Sequence, residues 1–557
     1  MFVPPPAPDA ARALAASLGV TLTAATVLTR RGLATRDDAE RFFEPRLADL
    51  TPPGAMRHRD AAAERIARAV RAKERIVVFG DYDADGITST ALLTDVLRAL
   101  GADAVPCLAS RFEGGYGFSA PALERVLALR PGLIVTCDCG SSDHPRLADA
   151  RAKGVDVIVI DHHRVPEEAL PAFAFLNPHH PECAFPYKGL ASCGLALSVA
   201  GAVRAALGVP LDLRRWLDLV ALGTIADVAP LDGDNRALVR AGLLALRAGH
   251  RPGVRALLDR LGAAGAALTG EDVAFRIAPR INAPGRLQAP DLALALLLER
   301  DEAAARKLAE QVDELCQQRR EVDRAVQAEA EAVLADPALA AMPVIVLGRV
   351  GWHPGVVGIV AGRLAARYGK PTVIVGFEGS AGRGSVRGPA GFPLHDALSR
   401  CADVLLGFGG HQAAAGVHLE LARLDAFRER FAAACETLAR SPFSPADAPA
   451  DARLEGCDDA AAVLRDLARF EPCGQHNPAP TLAVQDAEVL RVRVPKGGHL
   501  RLDLATPRGT LSAFGFDLEA SAPPVGARVH AFGKLRPDAY RGPFAVELRL
   551  SGVLLAS

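Results

Sequence analysis

The sequence predicts an α/β protein in which a doubly wound parallel sheet is joined by a long helix to a second α/β lobe, followed by a small OB-like β-barrel. Three observations carry this. Between residues 61 and 160, helical periodicity alternates with short unbroken apolar runs, the pattern of a parallel sheet covered on both faces. Residues 300–334 are dense in charge and poor in breakers, so one long connecting helix is expected. Beyond residue 453, short alternating strands separated by Gly-rich turns indicate a barrel. With 557 residues, half of them hydrophobic and 23% charged, the chain can build several cores and is too apolar for disorder.

In chain order, residues 1–58 read as an N-terminal arm of short helices broken by Pro4 to Pro6, Glu44-Pro45 and Thr51-Pro52-Pro53-Gly54. Residues 59–298 hold the first α/β unit. Ile76-Val77-Val78-Phe79 is its first buried strand, and a helix from Ser89 carries Leu92, Leu93, Val96, Leu97 and Leu100 at apolar positions. Residues 121–130 and 144–153 are helical, while Leu133-Ile134-Val135 and residues 155–160 are strands. The connecting helix falls within 299–340. The second lobe, 341–440, has a strand at 342–347, a helix at 355–368 and a strand at 372–375. Residues 441–452 are rich in Pro, Ser, Asp and Ala and read as a linker. The barrel occupies 453–557, with strands at Arg491-Val492-Arg493-Val494 and Leu500-Arg501-Leu502-Asp503-Leu504.

Charge and cysteine usage narrow the function classes. Lys and Arg total 64 against 65 Asp and Glu, so any nucleic-acid contact must be regional. One basic region is the barrel: residues 485–557 hold ten Lys or Arg against seven Asp or Glu, clustered near the turn Lys496-Gly497-Gly498-His499. No run of about eighteen uncharged apolar residues occurs, and MFVPPPAPDA lacks the basic and apolar regions of a signal peptide, so a cytoplasmic protein without membrane contact is expected. Ten scattered cysteines without a CxxC pair fit reduced thiols rather than a disulfide framework or zinc knuckle.

The chemistry lies at the strand ends. The first strand ends in Gly80-Asp81-Tyr82-Asp83-Ala84-Asp85-Gly86, the second in Cys137-Asp138-Cys139-Gly140 and the third in Asp161-His162-His163. Carboxyl ends of parallel strands border the binding crevice, so these acids should converge. Packed like charges need a counter-charge, which divalent metal supplies. Alternate carboxylates at Asp81, Asp83 and Asp85 can address two neighbouring ions, with Asp138 as a bridging ligand. Imidazole beside hard oxygens points to Mn²⁺, with Mg²⁺ as competitor. Asp227 closes an apolar helix-like stretch and is a fourth candidate acid, although a lone Asp there is also a common cap. A calcium loop is excluded because Val96 or Thr94, not Glu, stands at its twelfth position.

These motifs resemble the DHH phosphoesterase superfamily and, within it, the RecJ family of single-strand-specific DNA exonucleases. The resemblance spans residues 60–557 and extends through Arg111-Phe112-Glu113-Gly114-Gly115-Tyr116-Gly117, Pro279-Arg280-Ile281-Asn282-Ala283-Pro284-Gly285-Arg286 and Gly409-Gly410-His411-Gln412-Ala413-Ala414-Ala415-Gly416. It implies a DHH domain and a DHHA1 domain with the active site between them, and an OB-like barrel that holds single-stranded DNA. By motif, Asp83, Asp85, Asp138, His162 and Asp227 are the implied metal ligands for two ions. Asp81, Asp161 and His163 join Asp138 as implied catalytic or ligand-supporting residues. Arg111, Tyr116, Arg280, Asn282, Arg286, Ser385, Arg387 and His411 are the implied DNA contacts. Two departures stand out. Phe79 occupies the place, four residues before Asp83, where many relatives carry a metal-binding His. In Gly382-Arg383-Gly384-Ser385-Val386-Arg387 the family's Arg is shifted, which leaves Arg383 and Arg387 competing for phosphate.

The implied activity is metal-dependent 5′→3′ hydrolysis of single-stranded DNA in repair and recombination, by in-line attack without a covalent enzyme intermediate. His163 could donate to a phosphoryl oxygen, Arg280, Arg286 and His411 could neutralise phosphate, and Tyr116 could stack a base. A monomer working beside a helicase and a single-strand-binding protein is in keeping with that role. Three other readings compete with it: a DHH enzyme for nucleotides or short oligonucleotides, which needs no barrel; a pyrophosphatase, which needs the His that Phe79 replaces; and a catalytically inactive DNA-binding relative, which would be expected to have lost acids.

Overall fold

The computed structural model describes residues 2–389, 391–410, 414–438, 450–538, 541–542 and 545–556. The first sheet is parallel throughout, with strands β1 (Arg75–Gly80), β2 (Asp103–Leu108), β3 (Leu133–Cys137), β4 (Asp156–Ile160) and β5 (Ala174–Leu176) in the order β2-β1-β3-β4-β5. One face packs Val78, Val135 and Ile158 against the helices Arg59–Ala72, Ala84–Ala99 and Ser192–Leu207. The opposite face packs Val77, Phe79, Ile134 and Val159 against Ala120–Ala128 and His144–Ala152. Burial on both faces is what makes the runs in β1, β3 and β4 continuous in hydrophobicity.

To the first sheet the structure adds two strands that the sequence reading omits. β2 is an edge strand, which tolerates Pro106 opposite Val78, and β5 has only three residues. The helix after β1 also begins at Ala84 rather than Ser89, because the Asp83 side chain caps it by accepting from the Asp85 and Gly86 amides.

The connecting helix runs Glu302–Val333. Its first half buries Ala305, Ala309 and Val312 in the first unit's core, and its second half packs Val326 and Ala330 on the helix Val357–Tyr368. The second lobe is mixed rather than parallel. Its strands are β6 (Ile345–Val350), β7 (Thr372–Glu378), β8 (Ala381–Arg387), β9 (Gly407–Gly410) and β10 (Ala414–Glu420), in the order β6-β7-β8-β10-β9, and only β6–β7 is parallel. Most of the expected linker, residues 441–449, and His411 lie outside the described residues.

The last sheet comprises β11 (Ala452–Arg453), β12 (Leu482–Arg493), β13 (Leu500–Thr506), β14 (Gly509–Gly515), β15 (Arg528–Pro537) and β16 (Val546–Leu555). Pairing of β12 with both β13 and β15 closes β12-β13-β14-β16-β15 into a five-stranded barrel. The N-terminal segment is not merely an arm leading into the first unit. Its helices Asp9–Leu18, Leu22–Arg30 and Arg36–Phe43 bury Leu14, Val27, Leu28 and Phe43 in the same core as Leu482, Val529 and Leu548 of the barrel. Thr23 seals the contact, its amide and hydroxyl both donating to Asp458 at 2.7 Å. Among the described residues no single helix is long and apolar enough to cross a membrane.

Candidate active site

Every acid in the site is placed by the end of a strand or helix. Asp81 follows β1 and is buried, with Gly117 donating to it at 3.4 Å. Gly86 lets the new helix turn tightly over this loop, since a Cβ there would lie 2.5–2.6 Å from the Asp81 backbone. Asp85, in the first helical turn, accepts from the Ser192 amide at 2.7 Å and the Cys193 amide at 3.0 Å, both at the N-terminus of Ser192–Leu207. That helix end fixes the carboxylate with backbone donors and a favourable dipole. Asp138 follows β3 with φ +63°, and its Oδ1 lies 3.1 Å from the Ser192 hydroxyl and 3.2 Å from His162 Nε2. Asp227 caps the C-terminal end of the helix Leu217–Ala226.

His162 is the hub. Its Nε2 lies 3.2 Å from Asp138, 3.8 Å from Asp227 and 3.9 Å from Asp85. Two groups have ligand atoms close enough to hold an ion, Asp85 with His162 and Asp227, and Asp138 with His162 and His163; within each, all ligand atoms lie within 4.8 Å of one another. Asp83 belongs to neither: its Oδ1 caps the helix, although its charge reaches the others. Asp81 also stands outside both.

The electrostatics favour a bound cation over free carboxylates. Burial, then the neighbouring carboxylates Asp83, Asp85 and Asp227, pushes Asp138 well above the ordinary carboxylate range. Burial and Asp83 do the same to Asp81. Asp227 is pushed up to about 8 by burial and by Asp85 and Asp83. A bound divalent ion would relieve each of these costs, and oxygen donors with one or two imidazoles suit Mn²⁺ or Mg²⁺. Asp161 behaves oppositely. Burial raises it, but hydrogen bonds from His163 and Ser141 outweigh that and hold it well below the usual range. Burial disfavours the His163 imidazolium, yet the 2.7 Å bond to Asp161 raises it to about 9. Tyr116 puts its hydroxyl 3.0 Å from His163 Nδ1 and its ring edge-on to the imidazole at 5.4 Å, with much of the residue exposed. Phe79, by contrast, is wholly buried and packs on Phe118 at 4.8 Å, so that position belongs to the core.

A cationic pocket adjoins the acids. Arg111 stacks on Tyr82, its guanidinium carbon 4.2 Å from the ring centroid, and its charge reaches Asp81. Among the described residues its buried Nε has no hydrogen-bond partner. Arg286 is lowered to about 10 by burial and by Arg111, and donates one hydrogen bond, to the Gly355 carbonyl at 3.2 Å. Burial and Arg111 also lower Arg387, whose Nη1 bonds the Ser385 hydroxyl at 3.0 Å. Arg383 instead donates to the Arg111 carbonyl at 3.1 Å. Three guanidiniums thus gather without a salt-bridge partner among the described residues, an arrangement that only an anion balances.

Not every predicted residue joins this group. Arg280 is buried, pairs with Asp313 at 2.8 Å and donates to the Arg276 carbonyl at 2.6 Å, so its charge is already neutralised. Asn282 lies with Arg286 on a neighbouring groove. Ser192 and Cys193, which orient Asp85, are absent from the sequence-predicted set. The only signal in the sequence is the small-residue run Ala191-Ser192-Cys193-Gly194 ahead of an apolar helical stretch.

Comparison with known proteins gives three matching family profiles: the DHH family N-terminal domain over residues 75–224, the DHHA1 domain over 341–437 and the RecJ OB domain over 450–552. The chain is 33% identical over 538 residues to the single-stranded-DNA-specific exonuclease RecJ of Bacillus subtilis (strain 168), covering 95% of this chain and 67% of that protein. It is 37% identical to the protein of the same name from Dickeya dadantii (strain 3937), covering 87% of this chain and 88% of that one. The crystal structure of RecJ in complex with Mn²⁺ from Thermus thermophilus superposes with a TM-score of 0.84 at 33% identity, over 100% of this chain and 79% of that one.

Proposed function

The chain belongs to the RecJ family of single-stranded-DNA-specific exonucleases, and on that premise we propose that it removes nucleotides from the 5′ end of single-stranded DNA by metal-dependent hydrolysis. One observation carries the reading: a carboxylate–imidazole cluster with the ligand atoms for cations adjoins three guanidiniums without a salt-bridge partner among the described residues, and Arg111, stacked on Tyr82, links the two by its charge on Asp81, Arg286 and Arg387. The cluster would take two ions, Mn²⁺ or Mg²⁺, held by Asp85, Asp138, His162 and Asp227 with Asp83 and Asp81 in support.

Bound ions there would acidify a water nucleophile and neutralise the charge that builds on the phosphoryl oxygens. The chain's own residues do the rest. Asp161 keeps His163 protonated, so its imidazolium can donate to a phosphoryl oxygen or to the leaving oxygen. Ser192 and Cys193 hold Asp85 and Asp138 in place before substrate arrives. Tyr116, fixed by its hydroxyl, offers its exposed ring to a base. Arg111, Arg286 and Arg387, with Ser385, would take a terminal phosphate. A terminal monoester carries nearly two negative charges where an internal diester carries one, so a three-guanidinium pocket favours an end over a strand interior. Arg280, already paired with Asp313, has a structural role in this reading.

We further place the enzyme in the cytoplasm, as a monomer acting in repair and recombination on strands opened by a helicase and covered by a single-strand-binding protein. That setting rests on the substrate class. The test is digestion of single-stranded DNA labelled separately at each end, with Mn²⁺, Mg²⁺ or EDTA. Immediate loss of the 5′ label with either metal, and none in EDTA, is expected. Efficient cutting of a closed single-stranded circle would overturn end recognition.

A further inference from the structure

Each of the two helices that present Asp85 and Asp227 carries a second, buried acid toward its other end. Ala84–Ala99 holds Asp85 in its first turn and Asp95 about 15 Å further along its axis. Leu217–Ala226 holds Asp218 in its first turn and ends at Asp227. The helices run in opposite directions, so the acids of the cluster share one end of the pair and Asp95 and Asp218 share the other. At the cluster end the contact is made by glycine. A Cβ on Gly223 would stand 2.4 Å from the Thr88 hydroxyl, 2.7 Å from Asp85 Oδ1 and 2.7 Å from Cys193 Sγ, so the helix that leads to Asp227 lies as near Asp85 as backbone allows. A bare glycine surface limits how close two helices come, but it offers no ridge to stop one sliding along the other.

The far end supplies that stop. Asp95 Oδ2 accepts from the indole of Trp216, the residue that opens Leu217–Ala226, at 2.8 Å and lies 3.5 Å from Arg251 Nη1. Arg251 is buried; its Nε donates to Asp218 Oδ2 at 2.8 Å and its Nη1 to the Leu297 carbonyl at 2.9 Å. Asp95 Oδ1 bonds Arg300, which reaches in from just ahead of the connecting helix and is itself largely exposed. Two acids and two guanidiniums therefore balance one another around the start of one helix and the last turns of the other. Taking such charges out of water costs about what their pairing returns, so the network adds little to stability. What it adds is direction: these bonds form in one register of the two helices and break in any other.

We propose that Asp95, Arg251 and Asp218 are positioning residues for the metal cluster. They fix how far one helix slides along the other and thereby the spacing of Asp85 and Asp227 at the opposite end, while Arg300 ties that register to the connecting helix. A displacement of about 1 Å among reacting groups can cost about a hundredfold in rate, so a remote register has leverage on the chemistry. The inference rests on the exonuclease reading of the cluster and extends it to side chains that make no hydrogen bond or ion pair with the strand-end acids among the described residues.

The test is metal binding by the full chain without DNA, followed by loss of the free-ion Mn²⁺ EPR signal, with Mn²⁺ alone and in competition with Mg²⁺. Asp95→Asn keeps an acceptor for Trp216 and removes the charge that Arg251 and Arg300 share. It should weaken Mn²⁺ binding by about five- to twentyfold and Mg²⁺ binding by at least about threefold more, because Mg²⁺ tolerates less departure from octahedral geometry. On single-stranded DNA its kcat should fall at least about tenfold with KM within about twofold. Arg300→Ala, at an exposed position that the fold does not depend on, should shift Mg²⁺ binding in the same direction by about threefold, and it decides the matter if Asp95→Asn does not fold. Affinities for both metals within twofold of the parent, or an equal loss for the two, overturn the register role and leave the network a structural one. If the parent binds metal and degrades single strands while the variants match it, only this inference falls; if the parent does neither, the exonuclease reading falls instead.

Discussion

The guanidinium of Arg236 lies over the Phe42 ring, 3.7 Å from its centroid, while its nitrogens donate to the backbone carbonyls of Phe42 at 2.8 Å, Phe470 at 3.0 Å and Glu471 at 3.2 Å. Among the described residues no carboxylate hydrogen-bonds to it, and burial lowers the group to about 10. One side chain of the first unit therefore fastens both the N-terminal helices and the segment that leads into the barrel. Arg236→Met should leave several buried carbonyls unpaired and cost about 2–3 kcal/mol. Arg236→Lys should recover little of it, since one ammonium cannot span three carbonyls. Urea denaturation followed by tryptophan fluorescence measures both, and a loss below about 0.5 kcal/mol in Arg236→Met would dismiss the fastening role.

Asp138→Asn should lower kcat on single-stranded DNA by at least about a hundredfold while leaving the fold intact. Asn keeps the shape of Asp and tolerates the left-handed backbone at this position, so the substitution removes charge alone. Circular dichroism and metal titration, run beside the activity assay, separate loss of chemistry from loss of structure.

Ion binding should release protons. Without metal, Asp227 titrates at about 8, so at pH 7 it holds a proton that a cation must displace, and burial and neighbouring carboxylates push Asp81 and Asp138 upward in the same sense. At least about one proton per Mn²⁺ is expected at pH 7 in weakly buffered dye titrations. Apparent Mn²⁺ affinity should rise about tenfold per pH unit up to pH 8 and then flatten. A pH-independent affinity from 6 to 8 would contradict the electrostatics described for the cluster.

The cationic pocket makes a prediction about ends. Arg387→Ala should reduce discrimination between 5′-phosphorylated and 5′-hydroxyl single strands by about tenfold or more, through KM, because it removes a charge-assisted contact to the terminal phosphate. Arg383→Ala should leave the discrimination nearly unchanged, since Arg383 is spent on the Arg111 carbonyl. Paired steady-state assays on the two substrates decide between them.

How much of this was legible from the sequence depends on the physics behind each feature. β1, β3 and β4 were readable because burial on two faces demands unbroken apolar runs, and their terminal acids followed from where parallel strands end. β2 was hidden by Pro106, which only its edge position tolerates, and β5 by its three-residue length. Within one motif, Arg280 turned inward to Asp313 while Arg286 reached the cationic pocket, because packing around the short helices decides which arginine meets an acid. The support of Asp85 came from backbone amides, which no residue type announces. The union of the first helices with the barrel left no local pattern at all, since its partners are more than 400 positions apart.

That separation bears on how the molecule is made. Thr23 and its partner Asp458 are 435 positions apart, and a ribosome adding about 5–20 residues per second needs about 20–90 s to pass from one to the other. Throughout that interval Leu14, Val27, Leu28 and Phe43 have emerged while the core that covers them does not yet exist. The parallel sheet and the second lobe can complete themselves during the wait. The opening helices cannot, so they stay adhesive until the closing strands arrive, and a growing chain depends in that window on chaperone cover or on the low hydrophobicity of its neighbours.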